Sequence, residues 1–125
     1  MKIQTIVIIE DDSDFRGVLE EALQPFAKAV LTFESTEMAS DWLRTNSGFL
    51  ILSDFDLPGL SGFDHLKSFR KSGRLEPFLL MSGRFDVSPR DVESYGAKFF
   101  AKPFRIIQLL ELIKTLSVLT IACAV

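Results

Sequence analysis

The stretch that most limits what this chain can fold into is Phe49-Leu50-Ile51-Leu52-Ser53-Asp54-Phe55-Asp56-Leu57-Pro58-Gly59-Leu60-Ser61-Gly62. Four consecutive apolar residues, closed downstream by Pro58 and Gly59, read as a short strand buried on both faces, the kind that parallel sheets contain. Asp54 stands at the carboxyl end of that strand. Open α/β sheets bind their ligands there, where strand gives way to loop. An Asp in that place either caps the following turn or takes part in chemistry, and the rest of the chain has to decide between the two.

The same unit recurs along the chain. Residues 3 to 9 form a first apolar strand that ends at Glu10-Asp11-Asp12. Phe15, Val18, Leu19, Ala22, Leu23 and Phe26 then follow a helical period, with Asp12 or Ser13 as cap and a stop near Pro25. A second strand covers about Ala29 to Phe33, and Ser35 caps a helix to Asn46 with Met38, Ala39, Trp42 and Leu43 on its inner face. After the third strand, Ser61 and Asp64 form a capping-box-like pair that opens a helix to about Ser72, with Phe63, Leu66 and Phe69 facing inward. Pro77 to Met81 is a fourth strand ending at Ser82-Gly83. A short helix spans Pro89 to Tyr95, Ala97 to Ala101 is a fifth strand ending at Lys102-Pro103, and a last helix runs from Phe104 to at least Leu116.

Five strands alternating with five helices predict an α/β fold: a doubly wound, five-stranded parallel sheet in a three-layer α/β/α sandwich. Right-handed crossovers and one reversal of winding give the flavodoxin-like strand order 2-1-3-4-5, which sets the first and third strands side by side. Glu10, Asp11, Asp54, Ser82 and Lys102 would then meet at one rim. Three converging carboxylates repel one another unless a cation lies among them, and hard oxygen ligands favour magnesium, with manganese or calcium able to substitute. An Asp beside such a metal can act as a nucleophile on phosphorus, with the Lys102 ammonium and the Ser82 hydroxyl neutralising charge on the phosphoryl oxygens. The plainer reading is a simple Lys102–Asp54 salt bridge.

At this point the pattern resembles the receiver domain of two-component response regulators. The residues that carry the likeness are Ile8-Ile9-Glu10-Asp11-Asp12, Asp54-Phe55-Asp56-Leu57-Pro58 with Gly62, Met81-Ser82-Gly83, and Phe99-Phe100-Ala101-Lys102-Pro103-Phe104, in the family's order and covering residues 3 to about 116. The resemblance implies that Asp54 accepts a phosphoryl group from a phosphohistidine on a sensor histidine kinase or histidine phosphotransfer protein. It implies that Glu10 and Asp11 hold Mg2+, with Asp11 the direct ligand and Glu10 acting through water, and that the backbone carbonyl of Asp56 is a further ligand. Lys102 would contact the phosphoryl group, and the peptide before Pro103 would be cis. Ser82 and Phe99 would form the switch that alters a face made of the fourth helix, fifth strand and fifth helix, a surface for a downstream protein target, an output domain or a homodimer. Such a chain is a signalling switch with at most slow self-dephosphorylation. Asp56 and Arg84 occupy positions at which the family varies.

Composition narrows the alternatives. A net charge of −3 over 125 residues argues against a nucleic-acid footprint, and a single cysteine, Cys123, excludes an internal disulfide and fits a reduced, cytoplasmic setting. The expected layout is a receiver domain over 1–116 and an apolar tail over 117–125, a helix extension or the start of a linker. Gln108, Glu111 and Lys114 make the last helix amphipathic rather than membrane-spanning. Its wide apolar circumference leaves room for a partner, a dimer mate or a folded-back tail. No output domain is expected within these residues. A competing reading takes Asp54-x-Asp56 as the nucleophile and acid of a small metal-dependent phosphatase, but an acidic pair placed first in the chain runs against that family's order. A flavodoxin-like cofactor site would need a phosphate-cradling loop where Glu10 and Asp11 would repel phosphate. His65 reads as an ordinary helix residue, and Asp12 as a cap.

Overall fold

A computed structural model of the chain describes residues 3–124, with side chains through residue 116. In chain order the elements are β1 (Ile3–Ile9), α1 (Ser13–Leu23), a 3-10 turn (Gln24–Phe26), β2 (Ala27–Phe33), α2 (Thr36–Thr45), β3 (Phe49–Asp54), α3 (Gly62–Lys71), β4 (Phe78–Ser82), α4 (Pro89–Glu93), β5 (Lys98–Ala101) and α5 (Ile106–Ala124). The sheet is parallel throughout, in the order β2-β1-β3-β4-β5. The expected architecture and strand order are the ones found.

Alternation along the central strands divides the core in two, because successive side chains leave a strand on opposite faces. Ile6, Ile8, Leu50, Leu52, Leu79 and Met81 point to the layer containing Leu19 and Leu23 of α1 and Leu109 and Ile113 of α5. Val7, Ile9, Phe49, Ile51, Phe78 and Leu80 point to the layer containing Ala39 and Leu43 of α2, Leu66 and Phe69 of α3 and Val92 of α4. All six residues of β3 are buried, as a strand covered on both faces requires.

Two expected core positions lie outside. Val18 is 51% exposed and Met38 61%. In α1 the stripe that meets the sheet is filled by Phe15, Leu19 and Leu23, four apart, and in α2 by Thr36, Ala39 and Leu43. Val18 and Met38 each sit one residue, about 100° of helix, to the side of that stripe. The caps are Asp12, Ser35, Ser61 and Ser88, each accepting from a first-turn amide. Pro25 falls in the 3-10 turn, so β2 begins at Ala27, two residues before the expected start. Helix α5 begins at Ile106, later than expected, because Phe104 packs against Phe15 and Phe100 instead of joining the helix.

The sheet face buries more of α5 than its apolar circumference suggested. Leu109 and Ile113 are fully buried, Ile106, Leu110, Leu112 and Leu116 pack against them, and Ile107 is exposed. The backbone of the tail continues the helix to Ala124, while its side chains, Cys123 among them, lie outside the described residues. Among the described residues no helix is long and apolar enough to cross a membrane.

Candidate functional site

Register builds the site. Ile9 pairs with Ser53, so Glu10 and Asp54 emerge side by side at the carboxyl ends of β1 and β3, the point where the winding direction reverses. Ser82 pairs with Ala101, which brings Lys102 to the same rim from β5. The Lys102–Pro103 peptide is cis, as the resemblance implies.

Lys102 Nζ lies 3.1 Å from Glu10 Oε1 and 3.3 Å from Asp54 Oδ1. It therefore bridges two carboxylates, where the plainer sequence reading had one pair. Carboxylate oxygens of Glu10, Asp11 and Asp54 lie within 4.8 Å of one another. Glu10 is 1% and Asp54 6% exposed, whereas Asp11 faces solvent. Burial, then the neighbouring Asp54 charge, pushes the Glu10 carboxyl up to about 7, against the pull of Lys102. Burial likewise raises Asp54 above its ordinary value, with Lys102 again opposing. The ammonium of Lys102 is disfavoured by its own burial, but Asp54 and Glu10 outweigh this and hold it above the usual lysine range. Three acidic oxygens at this spacing, two of them shielded from water, are a donor set suited to a hard divalent cation.

The remaining candidates are less uniformly placed. Ser82 is buried, and its hydroxyl accepts from the Arg84 amide at 3.0 Å. Phe99 is half-buried against the α2–α3–α4 layer. The Asp56 carboxylate does not join the cluster. It is largely exposed and paired with Arg84 at 3.3 Å, while Arg84 also makes a two-point contact with Asp86 and lies over the Phe55 ring. That exposed, arginine-bound carboxylate is poorly placed as the general acid of a phosphatase.

Two supporting contacts were not read from the sequence. Gly62 sits beneath the site, where an added Cβ would collide with the carbonyl oxygen of Asp54 and meet the Leu80 side chain. The signal was present in the Gly62 of the motif, but its physical reason needs the fold. Glu37, from α2, accepts a hydrogen bond from the Leu60 amide at 2.9 Å and so clips the loop that follows Asp54.

Residues 6–114 match the response regulator receiver domain. The chain belongs to that family. Receiver domains are the phosphoacceptor switches of two-component signalling, and the phosphatase reading of Asp54-x-Asp56 is not supported. The chain is 34% identical over 109 residues to the DNA-binding transcriptional regulator NtrC of Klebsiella pneumoniae, covering 85% of this chain and 23% of that protein. It thus spans about a quarter of the length of that curated relative. Full-length FixJ from B. japonicum superposes with a TM-score of 0.81 at 28% identity, over 94% of this chain and 59% of FixJ. The receiver domain of the sensor histidine kinase PA1611 from Pseudomonas aeruginosa PAO1, solved with a magnesium ion coordinated in its active-site cleft, shares the fold with a TM-score of 0.74. That match is 23% identical and covers 90% of this chain and 95% of that one. Receiver domains bind Mg2+ at an acidic site, and the cluster of Glu10, Asp11 and Asp54 has that composition.

Proposed function

We propose that Asp54 is the phosphoacceptor and that Glu10, Asp11, Asp54 and the backbone carbonyl of Asp56 hold the divalent cation, Mg2+ by preference and Mn2+ or Ca2+ as substitutes. The observation that carries this reading is the rim itself: carboxylates of β1 and β3 within 4.8 Å of one another, with the Lys102 ammonium 3.3 Å from Asp54. When bound, the cation supplies positive charge against the oxygens of the group in transfer. An Asp54 carboxylate oxygen forms the new bond to phosphorus as the bond to the donor histidine nitrogen breaks, and the electron pair returns to the imidazole, which takes up a proton. Lys102 and the hydroxyl of Ser82 offset charge on the phosphoryl oxygens. Ser82 turning toward the new group, with Phe99 moving inward behind it, alters the α4–β5–α5 face.

The donor is a sensor histidine kinase or histidine phosphotransfer protein. The changed face addresses a downstream protein or an output domain, or pairs two copies; Tyr95 and Ile107, 37% and 60% exposed, are apolar surface available there. Relatives that carry DNA-binding outputs, NtrC among them, support an output elsewhere in a longer protein.

Incubation with acetyl phosphate or beryllium fluoride and Mg2+, followed by peptide mass mapping, tests the assignment. One adduct per chain on Asp54, lost in Asp54→Asn, is the expected result. Labelling that persists in Asp54→Asn, or steady turnover of phosphomonoesters, would overturn it.

A further inference from the structure

One contact of the Lys102 ammonium comes from outside the acidic cluster. Its Nζ lies over the face of the Phe15 ring, 4.8 Å from the centroid. Phe15 belongs to the first turn of α1, and its amide donates to Asp12 Oδ1 at 3.3 Å, so the backbone that carries the ring is tied to the cap. The ring meets Phe104 edge to face, with centroids 6.1 Å apart, and Phe104 meets Phe100 in the same way at 5.2 Å. The ring that faces Lys102 is therefore braced through Phe104 against β5, the strand that delivers Lys102. An open cavity lined by Asp12, Phe15, Lys102, Pro103 and Phe104 adjoins this contact.

Lysine carries its charge on a flexible four-carbon stem, and the Lys102 side chain is 27% exposed, so the ammonium has room to swing toward water. Glu10 and Asp54 hold it in place here. During transfer, on the reading above, Asp54 is being converted to an acyl phosphate and the acids are engaged by the cation, so neither is free to hold the ammonium as it does now. An aromatic face attracts a cation through its quadrupole and offers no oxygen that would compete with the phosphoryl group or with the metal.

We propose that Phe15 is a positioning residue for phosphoryl transfer, its ring face keeping the Lys102 ammonium beside Asp54 while the carboxylates are otherwise occupied. The inference rests on Lys102 being the group that contacts the phosphoryl oxygens. The test is therefore chosen so that the two ideas fail differently. Phe15 is replaced in the full chain by mono-, di- and trifluorinated phenylalanines, which keep the shape of the ring while draining its face of negative charge. The rate of Asp54 phosphorylation by acetyl phosphate with Mg2+ is measured for each, together with the thermal midpoint. The small donor removes any effect on partner docking.

The rate should fall with each added fluorine, by roughly three- to tenfold across the series, the range a half-exposed cation–π contact supports, while the midpoint stays level. Phe15→Trp, whose face attracts a cation more strongly, should match or exceed the parent, and Phe15→Leu should fall at least as low as the trifluorinated ring. A flat series overturns the proposal and leaves Phe15 a packing residue, whatever Phe15→Leu does. Lys102→Met is run alongside. If it is phosphorylated as fast as the parent, the assignment of Lys102 has failed and takes the proposal with it; if it is slow while the series is flat, the role of the ring alone has failed.

Discussion

The rim of the sheet and the inner side of α3 both bury ionisable groups, and they deal with them in opposite ways. At the rim, Glu10 and Asp54 lie out of water beside each other, and the Lys102 ammonium between them offsets their charge. In α3, His65 is 7% exposed, its ring packs edge-on against Phe69 and Phe78, and its Nδ1 has no hydrogen-bond partner among the described residues. Burial pushes that imidazole down to about 4, with only the charge of Glu37 acting the other way. At the rim a bridging ammonium opposes the effect of burial on two carboxyls, whereas in α3 burial prevails and the ring gives its charge up. Only the first retains groups that can attract a cation or attack phosphorus, whereas His65 serves the fold as a neutral ring. The difference lies in the counter-charge each region supplies: the ladder places an ammonium 3.1 Å from Glu10, whereas the carboxylate that acts on His65, Glu37, is engaged by the Leu60 amide.

Removing the ammonium is the most severe way to break this contrast, since it makes the rim resemble the α3 pocket. Lys102→Met leaves Glu10 and Asp54 with no ion-pair partner among the described residues, so Glu10 should be protonated over a wider pH range. Phosphoryl uptake from acetyl phosphate should then slow by about 100-fold or more, the cost of losing a charged group aimed at a developing oxyanion. Uptake within about threefold of the parent would mean that the bridge is structural only.

The α3 pocket is probed by acid. A histidine held at about 4 in the fold and near 6.5 when unfolded stabilises the fold fully above pH 6.5. Below that the unfolded chain takes up a proton that the folded chain refuses, so stability falls as the pH drops from 6.5 to about 4 and levels off beneath it. The loss attributable to this residue is about 3 kcal/mol at most. Urea melts of the parent and of His65→Leu across that range should diverge from the parent's steeper slope, and parallel curves would show that His65 is not what titrates. Phosphoryl uptake by His65→Leu at neutral pH should be unchanged, which keeps the two regions separate.

These two regions were also unequally legible in the sequence. The rim could be read almost whole, because each of its groups directly follows an apolar run and a parallel sheet sends every strand end to the same side. The order of acids, serine and lysine along the chain then specified which ends meet. The α3 pocket could not be read. His65 belongs to an ordinary helical period, and nothing in Phe63, Leu66 or Phe69 says that a ring from β4 will close over it. Val18 and Met38 lie outside the core for a related reason: a helical period marks an apolar arc wider than the stripe a sheet can cover, and tertiary geometry alone trims it. Contacts such as Phe15 with Lys102, or Arg84 with Asp56 and Asp86, join side chains whose reach depends on rotamers that no spacing encodes.

The smallest of the expected effects concerns the backbone under the rim and separates strain in the site from strain elsewhere. Gly62 does not have a positive φ, so its need for hydrogen is one of space: a Cβ there would press on the Asp54 carbonyl oxygen and on Leu80, both held in the sheet. Gly48 presents the converse case, with φ at 74° and open space around its Cβ position. Alanine at position 48 should cost about 1 kcal/mol of left-handed strain and leave phosphoryl uptake alone, because the loop it occupies leads into β3 from the far end. Alanine at position 62 should cost about 2 kcal/mol in overpacking. It should also slow uptake, because the added Cβ presses on the strand end that aims Asp54. Chemical melts and acetyl phosphate kinetics on the two variants decide the matter. If Gly62→Ala loses stability but phosphorylates at the parental rate, the strand end yields without turning the carboxylate, and the aim of Asp54 is set by Lys102 and the acids around it, not by the chain beneath.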